Sequence, residues 1–195
     1  MKTIGILALQ GAVEPHRNAL SDVGIDSVAV RDERELAAVD GLILPGGESS
    51  TMLRLLERFK LDEPLDEFVR SGRPVLATCA GLILAARRVT EPEQRSFGWL
   101  DITVARNAWG RQIESFEALD DRGEIPMVFI RAPRILEVGS GVEVLASFRG
   151  EPVLVRQANV IGAAFHPELT VDRRIHRAVF GQLREAALAP TPASP

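Results

Sequence analysis

The residues best suited to nucleophilic chemistry in this chain are one thiol and one imidazole. Cys79 is the only cysteine among 195 residues, and it stands where an apolar run, "PVLAT", meets a helix-forming run, "AGLILAARRV". A helix N-terminus offers free N–H groups and a positive dipole end, which favour a thiolate over a thiol. Cys79 is therefore either a nucleophile at a sharp strand-to-helix turn or a small core hydrophobe.

Among the three histidines, His166 is the best placed to act as a general base. It leaves an apolar run just before Pro167, which cannot extend a sheet ladder, so the chain must turn there. Glu168 is close enough in sequence to reach the imidazole and hold its tautomer. The alternative is that these three residues form only a loop. His16 and His176 fall in helical patterns, and we interpret them as surface or satisfied helix residues.

A glycine-rich turn and two arginines are further candidates. The stretch "LPGGESST" is either an ordinary turn with a helix start or a turn whose N–H groups form an oxyanion hole. It is not a P-loop, because the Gly-Lys-Ser/Thr ending is missing. Arg106 and Arg131 lie within or beside strand-like segments. They are either solvated or clamps for a substrate carboxylate.

The elements that must position these residues follow a recognisable order. Short apolar strands alternate with helices in the first half, which predicts βαβ units and a mostly parallel sheet in a three-layer α/β sandwich. Strand-like segments in the middle predict an antiparallel extension of the sheet, before a last buried strand and a final helix, "DRRIHRAVFGQLREAAL". Ligands bind at the carboxyl ends of such strands, where Gln10-Gly11, the glycine turn, Cys79 and His166 would meet.

Composition narrows the classes of partner. The net charge of −4 gives no electrostatic reason to expect nucleic acid or an anionic membrane. No apolar run approaches the roughly 18 residues of a membrane span, and "MKTIGILALQGAVE" fits a first strand better than a signal peptide. A single cysteine fits the reducing cytoplasm. We expect one domain over residues 1–188 and a disordered tail over residues 189–195.

Several motifs, taken in order, resemble a known family. "LPGGES", "TCAG" and "FHPE" resemble the triad-type, class I glutamine amidotransferases. The resemblance narrows to the glutaminase subunits of pyridoxal 5′-phosphate synthase and runs from about residue 2 to residue 183. Ala77 and the Leu82-Ile83 pair depart from the broader class but match this branch. The narrower match rests on these stretches: "ILALQGAVEPH", "DGLILPGGESSTM", "TCAGLI", Arg106-Asn107, "SFEA", "FIRAP" and "FHPELT".

The resemblance implies a class I glutamine amidotransferase-like, flavodoxin-like fold and a catalytic triad. Cys79 would be the nucleophile, His166 the residue that takes and returns the proton, and Glu168 the residue that orients His166. The N–H groups of Gly47 and Ala80 would form the oxyanion hole. The glutamine site implied by the resemblance consists of Gly46, Gly47, Glu48, Arg106, Ile130 and Arg131.

The resemblance also implies a reaction and a partner. L-glutamine would be hydrolysed to L-glutamate and ammonia without a metal or organic cofactor. A ring-forming synthase subunit would accept the ammonia to make pyridoxal 5′-phosphate. From the strand-end position of Gln10-Gly11 beside the crevice, we hypothesise that this pair contributes to activation on docking. Three alternatives stay open: a different cysteine hydrolase on the same fold, a regulatory module without chemistry, and a glutaminase that feeds another synthase.

Overall fold

The computed structural model describes residues 2–106 and 115–181. The strands in these ranges are β1 (Thr3–Leu7), β2 (Asp26–Val30), β3 (Gly41–Leu44), β4 (Val75–Thr78), β5 (Ala86–Thr90), β6 (Leu100–Ala105), β7 (Ser115–Leu119), β8 (Pro126–Ile130), β9 (Arg134–Val138), β10 (Glu143–Phe148), β11 (Glu151–Gln157) and β12 (Val160–Ala163). The helices are α1 (Val13–Ser21), α2 (Glu33–Ala37), α3 (Ser49–Arg58), α4 (Asp62–Arg70), α5 (Ala80–Ala85) and α6 (Arg174–Phe180), with a 3₁₀ turn at Pro167–Leu169.

A seven-stranded sheet in the order β10-β11-β12-β4-β3-β1-β2 forms the centre of the fold. The five strands from β12 to β2 pair in parallel, while β11 is antiparallel to both β10 and β12. Strands β3, β4 and β12 are buried at every position, as expected for a parallel sheet covered on both faces. The order β2-β1-β3-β4-β12 is that of flavodoxin-like sheets, so the predicted fold class is confirmed.

The middle of the chain only partly follows the predicted antiparallel extension. β10 and β11 do extend the main sheet. The prediction is wrong for the segments that became β6 and β8, because these strands belong to two separate small sheets, β5-β6-β9 and β7-β8. Strand-like periodicity shows that a segment pairs, but it does not show which strand it pairs with.

The helix predicted to follow Cys79 is shorter than the sequence suggested. α5 ends at Ala85, where the N–H groups of Phe97 and Gly98 donate to the carbonyls of Leu84 and Ala86 at 2.8 and 3.0 Å. The chain then becomes strand β5, which pairs in parallel with β6. Long-range pairing therefore overrides the helix propensity of "AARRV".

At the C-terminal end, the predicted final helix is present as α6. Its predicted continuation to residue 188 and the tail at residues 189–195 lie outside the described residues. Within residues 2–106 and 115–181, no helix is long and apolar enough to span a bilayer.

Candidate active site

Cys79 occupies a sharp turn between β4 and α5. Its backbone has φ 48° and ψ −102°, a conformation that residues with a side chain rarely adopt. Its N–H donates to the Ala163 carbonyl at 2.9 Å, and its Sγ lies 3.9 Å from the Ile130 carbonyl. A Cβ on Gly81 would lie 2.1 Å from the Leu44 carbonyl oxygen, so only glycine lets α5 approach β3 this closely. These contacts fix the thiol at the carboxyl ends of the central strands.

His166 lies next to Cys79 and is bonded to Glu168. The chain leaves β12, the N–H of His166 donates to the Val128 carbonyl at 2.8 Å, and the 3₁₀ turn then brings Glu168 back. Nδ1 of His166 is 2.7 Å from Oε1 of Glu168. A Cβ on Gly46 would lie 2.3 Å from Cε1 of His166 and 3.3 Å from Cβ of Cys79, so these three residues are in close proximity.

Electrostatics favour a charged pair at His166 and Glu168. Burial alone would lower the pKa of His166, but hydrogen bonds and charge interactions with Cys79 and Glu168 raise it to about 10. Burial would raise the pKa of Glu168, whereas His16 and the hydrogen bond from His166 bring it below its usual value. The carboxylate therefore faces an imidazolium, which in turn faces the thiol.

A cavity of about 230 Å³ opens in front of Cys79 and His166. No set of His, Cys, Asp or Glu side chains in the described parts of the chain is arranged to hold a metal ion. A slightly larger hollow, about 290 Å³, lies near the start of β4 and is lined by no thiol, imidazole or carboxylate. The first cavity is lined by Gly11, Ala12, Gly46, Gly47, Glu48, Ser49, Cys79, Ile83, Arg106, Ile130, Arg131 and His166.

Opposite charges also line the cavity. Nη2 of Arg106 is 2.9 Å from Oε1 of Glu48, and Glu48 also accepts from the Ser50 hydroxyl at 2.9 Å. Burial raises the pKa of Glu48, but the bonds from Ser50 and the charges of Arg106 and Arg131 lower it overall. Arg131 has a positive φ of 44° directly after β8, where it borders the cavity. A carboxylate and guanidinium groups together complement the ammonium and carboxylate of a free amino acid.

The loop after β1 is bonded to the glycine turn. Oε1 of Gln10 accepts from the N–H of Glu48 at 2.8 Å, and the N–H of Ala12 donates to the Gly46 carbonyl at 3.0 Å. The Gly46-Gly47 peptide is trans, so the N–H of Gly47 is directed away from Ala12. Gly11 has φ 116°, and a Cβ there would lie 2.0 Å from the Gly46 carbonyl oxygen. Replacing Gly11 would therefore disturb the glycine turn.

Ala80, the second residue predicted for an oxyanion hole, directly follows Cys79. It is the first residue of α5, so its N–H has no acceptor within the helix. The structure thus brings every sequence-predicted site residue to one region, with Gln10, Ala80 and Glu168 just behind the cavity wall.

Two residues of this region were missed by sequence reasoning. His16 and His176 lie in helices α1 and α6, as expected. Of the two interpretations, surface residues or satisfied helix residues, the first is wrong because both are fully buried, and the second agrees with the hydrogen bonds of these histidines. They bond to each other, with Nδ1 of His16 3.0 Å from Nε2 of His176. The burial of His16 could have been predicted from the sequence, because His16 shares a helix face with the apolar residues Val13 and Leu20.

Comparisons with known proteins place this chain among relatives of similar sequence. The model of the "SNO glutamine amidotransferase family" matches residues 6–184. A pyridoxal 5′-phosphate synthase subunit PdxT from Thermotoga maritima is 50% identical over 182 residues, covering 89% of this chain and 95% of the relative. The PdxT subunit of Geobacillus kaustophilus is 47% identical over 190 residues, covering 95% and 97%.

A solved structure supports the same relationship. A crystal structure described as a glutamine amidotransferase superposes with a TM-score of 0.84 at 43% identity, covering 90% of this chain and 96% of that one. At this level of identity and coverage, shared ancestry accounts for the fold. The chain belongs to the SNO glutamine amidotransferase family.

Proposed function

We propose that this chain is the glutaminase subunit of a pyridoxal 5′-phosphate synthase. It hydrolyses L-glutamine to L-glutamate and ammonia through a thioester on Cys79. The observation that carries the proposal is His166, hydrogen-bonded to Glu168 and adjacent to Cys79, in a cavity that Glu48 and Arg106 also line. Relatives that are 47–50% identical are subunits of that synthase, which supports the same assignment here.

Cys79 acts as the nucleophile in the first half of the reaction. Protonated His166 favours the thiolate, which adds to the side-chain amide carbon of glutamine. His166 then gives its Nε2 proton to the amide nitrogen, the carbon–nitrogen bond breaks, and ammonia leaves. A γ-glutamyl thioester and a neutral imidazole remain, while Glu168 keeps the ring oriented through Nδ1.

Water completes the cycle. Neutral His166 accepts a proton from a water molecule while the water oxygen adds to the thioester carbon. The carbon–sulfur bond breaks, glutamate leaves, and the thiolate and imidazolium are restored. The chemistry uses only Cys79, His166 and Glu168.

Substrate binding and charge stabilisation use the rest of the cavity. Glu48 accepts from the substrate ammonium, and Arg106 and Arg131 bind its carboxylate, while Gly46 and Ile130 shape the space around the side chain. The N–H groups of Gly47 and Ala80 stabilise the oxyanion. The loss of one such donor typically costs about 10²- to 10³-fold in rate.

A synthase partner would take up the ammonia that the reaction releases. Free ammonia would be protonated or diluted at neutral pH, so a ring-forming synthase subunit that takes it directly would prevent the loss. Gln10 and Gly11, which contact Glu48 and Gly46, would transmit docking to the glycine turn. A free thiol nucleophile also needs reducing surroundings, which supports a cytoplasmic location.

Glutamate release from glutamine tests this proposal. The chain is assayed alone and with a pyridoxal 5′-phosphate synthase subunit, with Cys79→Ala as the matched variant. We expect release to rise sharply with the partner and to vanish in the variant. Activity on a peptide or ester but not on glutamine would indicate another cysteine hydrolase, and release that this synthase subunit neither raises nor consumes would indicate another synthase.

A further inference from the structure

Behind Glu168, on the side away from the cavity, lies a buried polar cluster that the reaction scheme above does not use. Its members are His16, Thr78 and His176, all with no solvent exposure. Nε2 of His16 lies 3.2 Å from Oγ1 of Thr78 and 3.4 Å from Oε2 of Glu168. The cluster joins helix α1, strand β4 and helix α6 to the carboxylate that holds His166.

The second carboxylate oxygen of Glu168 depends on this cluster. Oε1 is bonded to His166, but Oε2 is buried and has no hydrogen bond of ordinary geometry to any described residue. His16 Nε2, at 3.4 Å, is near enough for an electrostatic contact. Burying a charged carboxylate oxygen among only apolar atoms would cost free energy. The N–H of His16 therefore favours the ionised form of Glu168.

The tautomers of the two histidines follow from their partners. Only one proton can lie between His16 Nδ1 and His176 Nε2, which are 3.0 Å apart. If His176 donates it, His16 presents Nε2–H to Thr78 and Glu168. In the reverse arrangement His16 would turn a lone pair toward a carboxylate, and His176 would bury an unpaired N–H at Nδ1, an atom that has no partner among the described residues. The first arrangement avoids both penalties.

We propose that His16 is a positioning residue for Glu168, held by His176 in the neutral Nε2–H tautomer so that it presents a donor, but no second positive charge, to the carboxylate. His16 faces Glu168, His166 and His176, and His176 also faces Arg173. Burial lowers the pKa of His16 to about 4 and that of His176 to about 3, which agrees with neutral rings. The only imidazolium is then His166, next to Cys79. The inference rests on the proposed role of Glu168 in orienting His166.

Nitrogen NMR of the ¹⁵N-histidine-labelled chain tests the tautomers directly, because the sequence contains only three histidines. At neutral pH we expect His16 and His176 to carry their proton on Nε2 and His166 to carry protons on both nitrogens. Single His-to-Gln variants assign the signals. A His16 ring that is protonated on Nδ1, or on both nitrogens, would overturn the proposal whether or not the chain is active on glutamine.

The functional consequence is tested by the pH dependence of Cys79 alkylation by iodoacetamide in the free chain. In His16→Leu, we expect the acid limb of the profile to move up by about one pH unit, because Glu168 loses the donor near its second oxygen. His16→Gln restores a donor near the Nε2 position and should return the limb toward that of the unchanged chain. The limb should stay in place in Leu20→Ala, which removes buried volume from the same helix but no hydrogen-bond donor.

A purely structural role for His16 predicts a different pattern. Stability would fall in both His16→Leu and Leu20→Ala, while the acid limb of each alkylation profile stayed at the pH of the unchanged chain. That result would overturn the proposal. If His16→Leu does not fold, His16→Gln is compared with His16→Asn, whose shorter amide does not reach Glu168. Equal profiles for this pair would count against the proposal. These readouts need neither glutamine nor the synthase subunit, so they separate this inference from the proposed function.

Discussion

The two sides of the cavity are built differently. Behind His166, the side chains of Glu168, His16 and His176 are buried. Glu168 is bonded to His166, and His16 is bonded to His176 and lies 3.4 Å from Glu168. On the substrate side, the Glu48 side chain is 45% exposed and its main partners are Arg106 and Ser50. One wall is thus fixed by packing before any substrate arrives, whereas the other is an open ion pair that a bound amino acid can share.

This difference separates chemistry from binding. In the proposed mechanism, residues of the buried wall set the proton positions at His166, so we expect their substitution to affect kcat. In the same mechanism, residues of the open wall contact the ends of the substrate, so we expect their substitution to affect mainly KM. Substitutions on each side of the cavity test this difference. They are assayed as glutaminase activity with the synthase subunit present.

The largest effect is expected for Glu168→Gln. The amide cannot carry the negative charge that balances protonated His166, so we expect kcat to fall by about 10²- to 10⁴-fold. Steady-state kinetics check this, with Glu57→Gln on an exposed part of α3 as the matched control. A kcat close to that of the unchanged chain would remove Glu168 from the mechanism.

Gly46→Ala probes the junction of the two walls. The added methyl would lie 2.3 Å from Cε1 of His166 and 3.3 Å from Cβ of Cys79, so the ring must shift from its present position beside Cys79. We expect kcat to fall by about 10²-fold. Gly141→Ala is the control, since its added methyl would meet only Gln157, at 3.7 Å. Equal kcat values for the two variants would show that the position of His166 is not critical.

Arg106→Ala tests the open wall. It removes a guanidinium that is expected to bind the substrate carboxylate and leaves Glu48 without its closest cation. We expect KM for glutamine to rise about tenfold or more while kcat changes less. Arg88→Ala, on the exposed face of β5, should leave both constants unchanged. A loss confined to kcat would contradict the division between the walls.

The smallest effect is a difference in stability with pH. The folded chain keeps His16 and His176 neutral, with pKa values of about 4 and 3, whereas the unfolded chain binds these protons near pH 6.5. Their contribution is therefore fully present above pH 6.5 and is lost as the pH falls toward 4. The raised pKa of His166, about 10, acts in the opposite sense, since its contribution is present below pH 6.5 and is lost as the pH rises toward 10.

Urea unfolding at pH 7 and pH 5 measures this difference. We expect His16→Gln to lose less stability than the unchanged chain between these pH values, by on the order of 1 kcal/mol. Equal losses would mean that His16 is not held neutral in the fold.

The glycine turn of the open wall and the nucleophile could be predicted from the sequence because both follow strand ends. Gly46, Cys79 and His166 each come directly after an apolar run, and the carboxyl ends of parallel strands share one edge. Of the buried wall, Glu168 was predicted, but the pair formed by His16 and His176 was not, because these two residues are 160 positions apart and meet only through tertiary packing. Strand β5 was not predicted for a similar reason. Its residues have helix propensity, but they pair with the distant strand β6.

The central claim is that Cys79 is the residue that attacks the side chain of glutamine. An electrophilic glutamine analogue with a diazoketone in place of the amide measures this directly, when it is added to the chain with the synthase subunit and the modified peptide is identified by mass spectrometry. We predict a single adduct on Cys79, whose formation is slowed by glutamine and is absent in Cys79→Ala. Labelling at another residue with the same protection by glutamine would contradict the account.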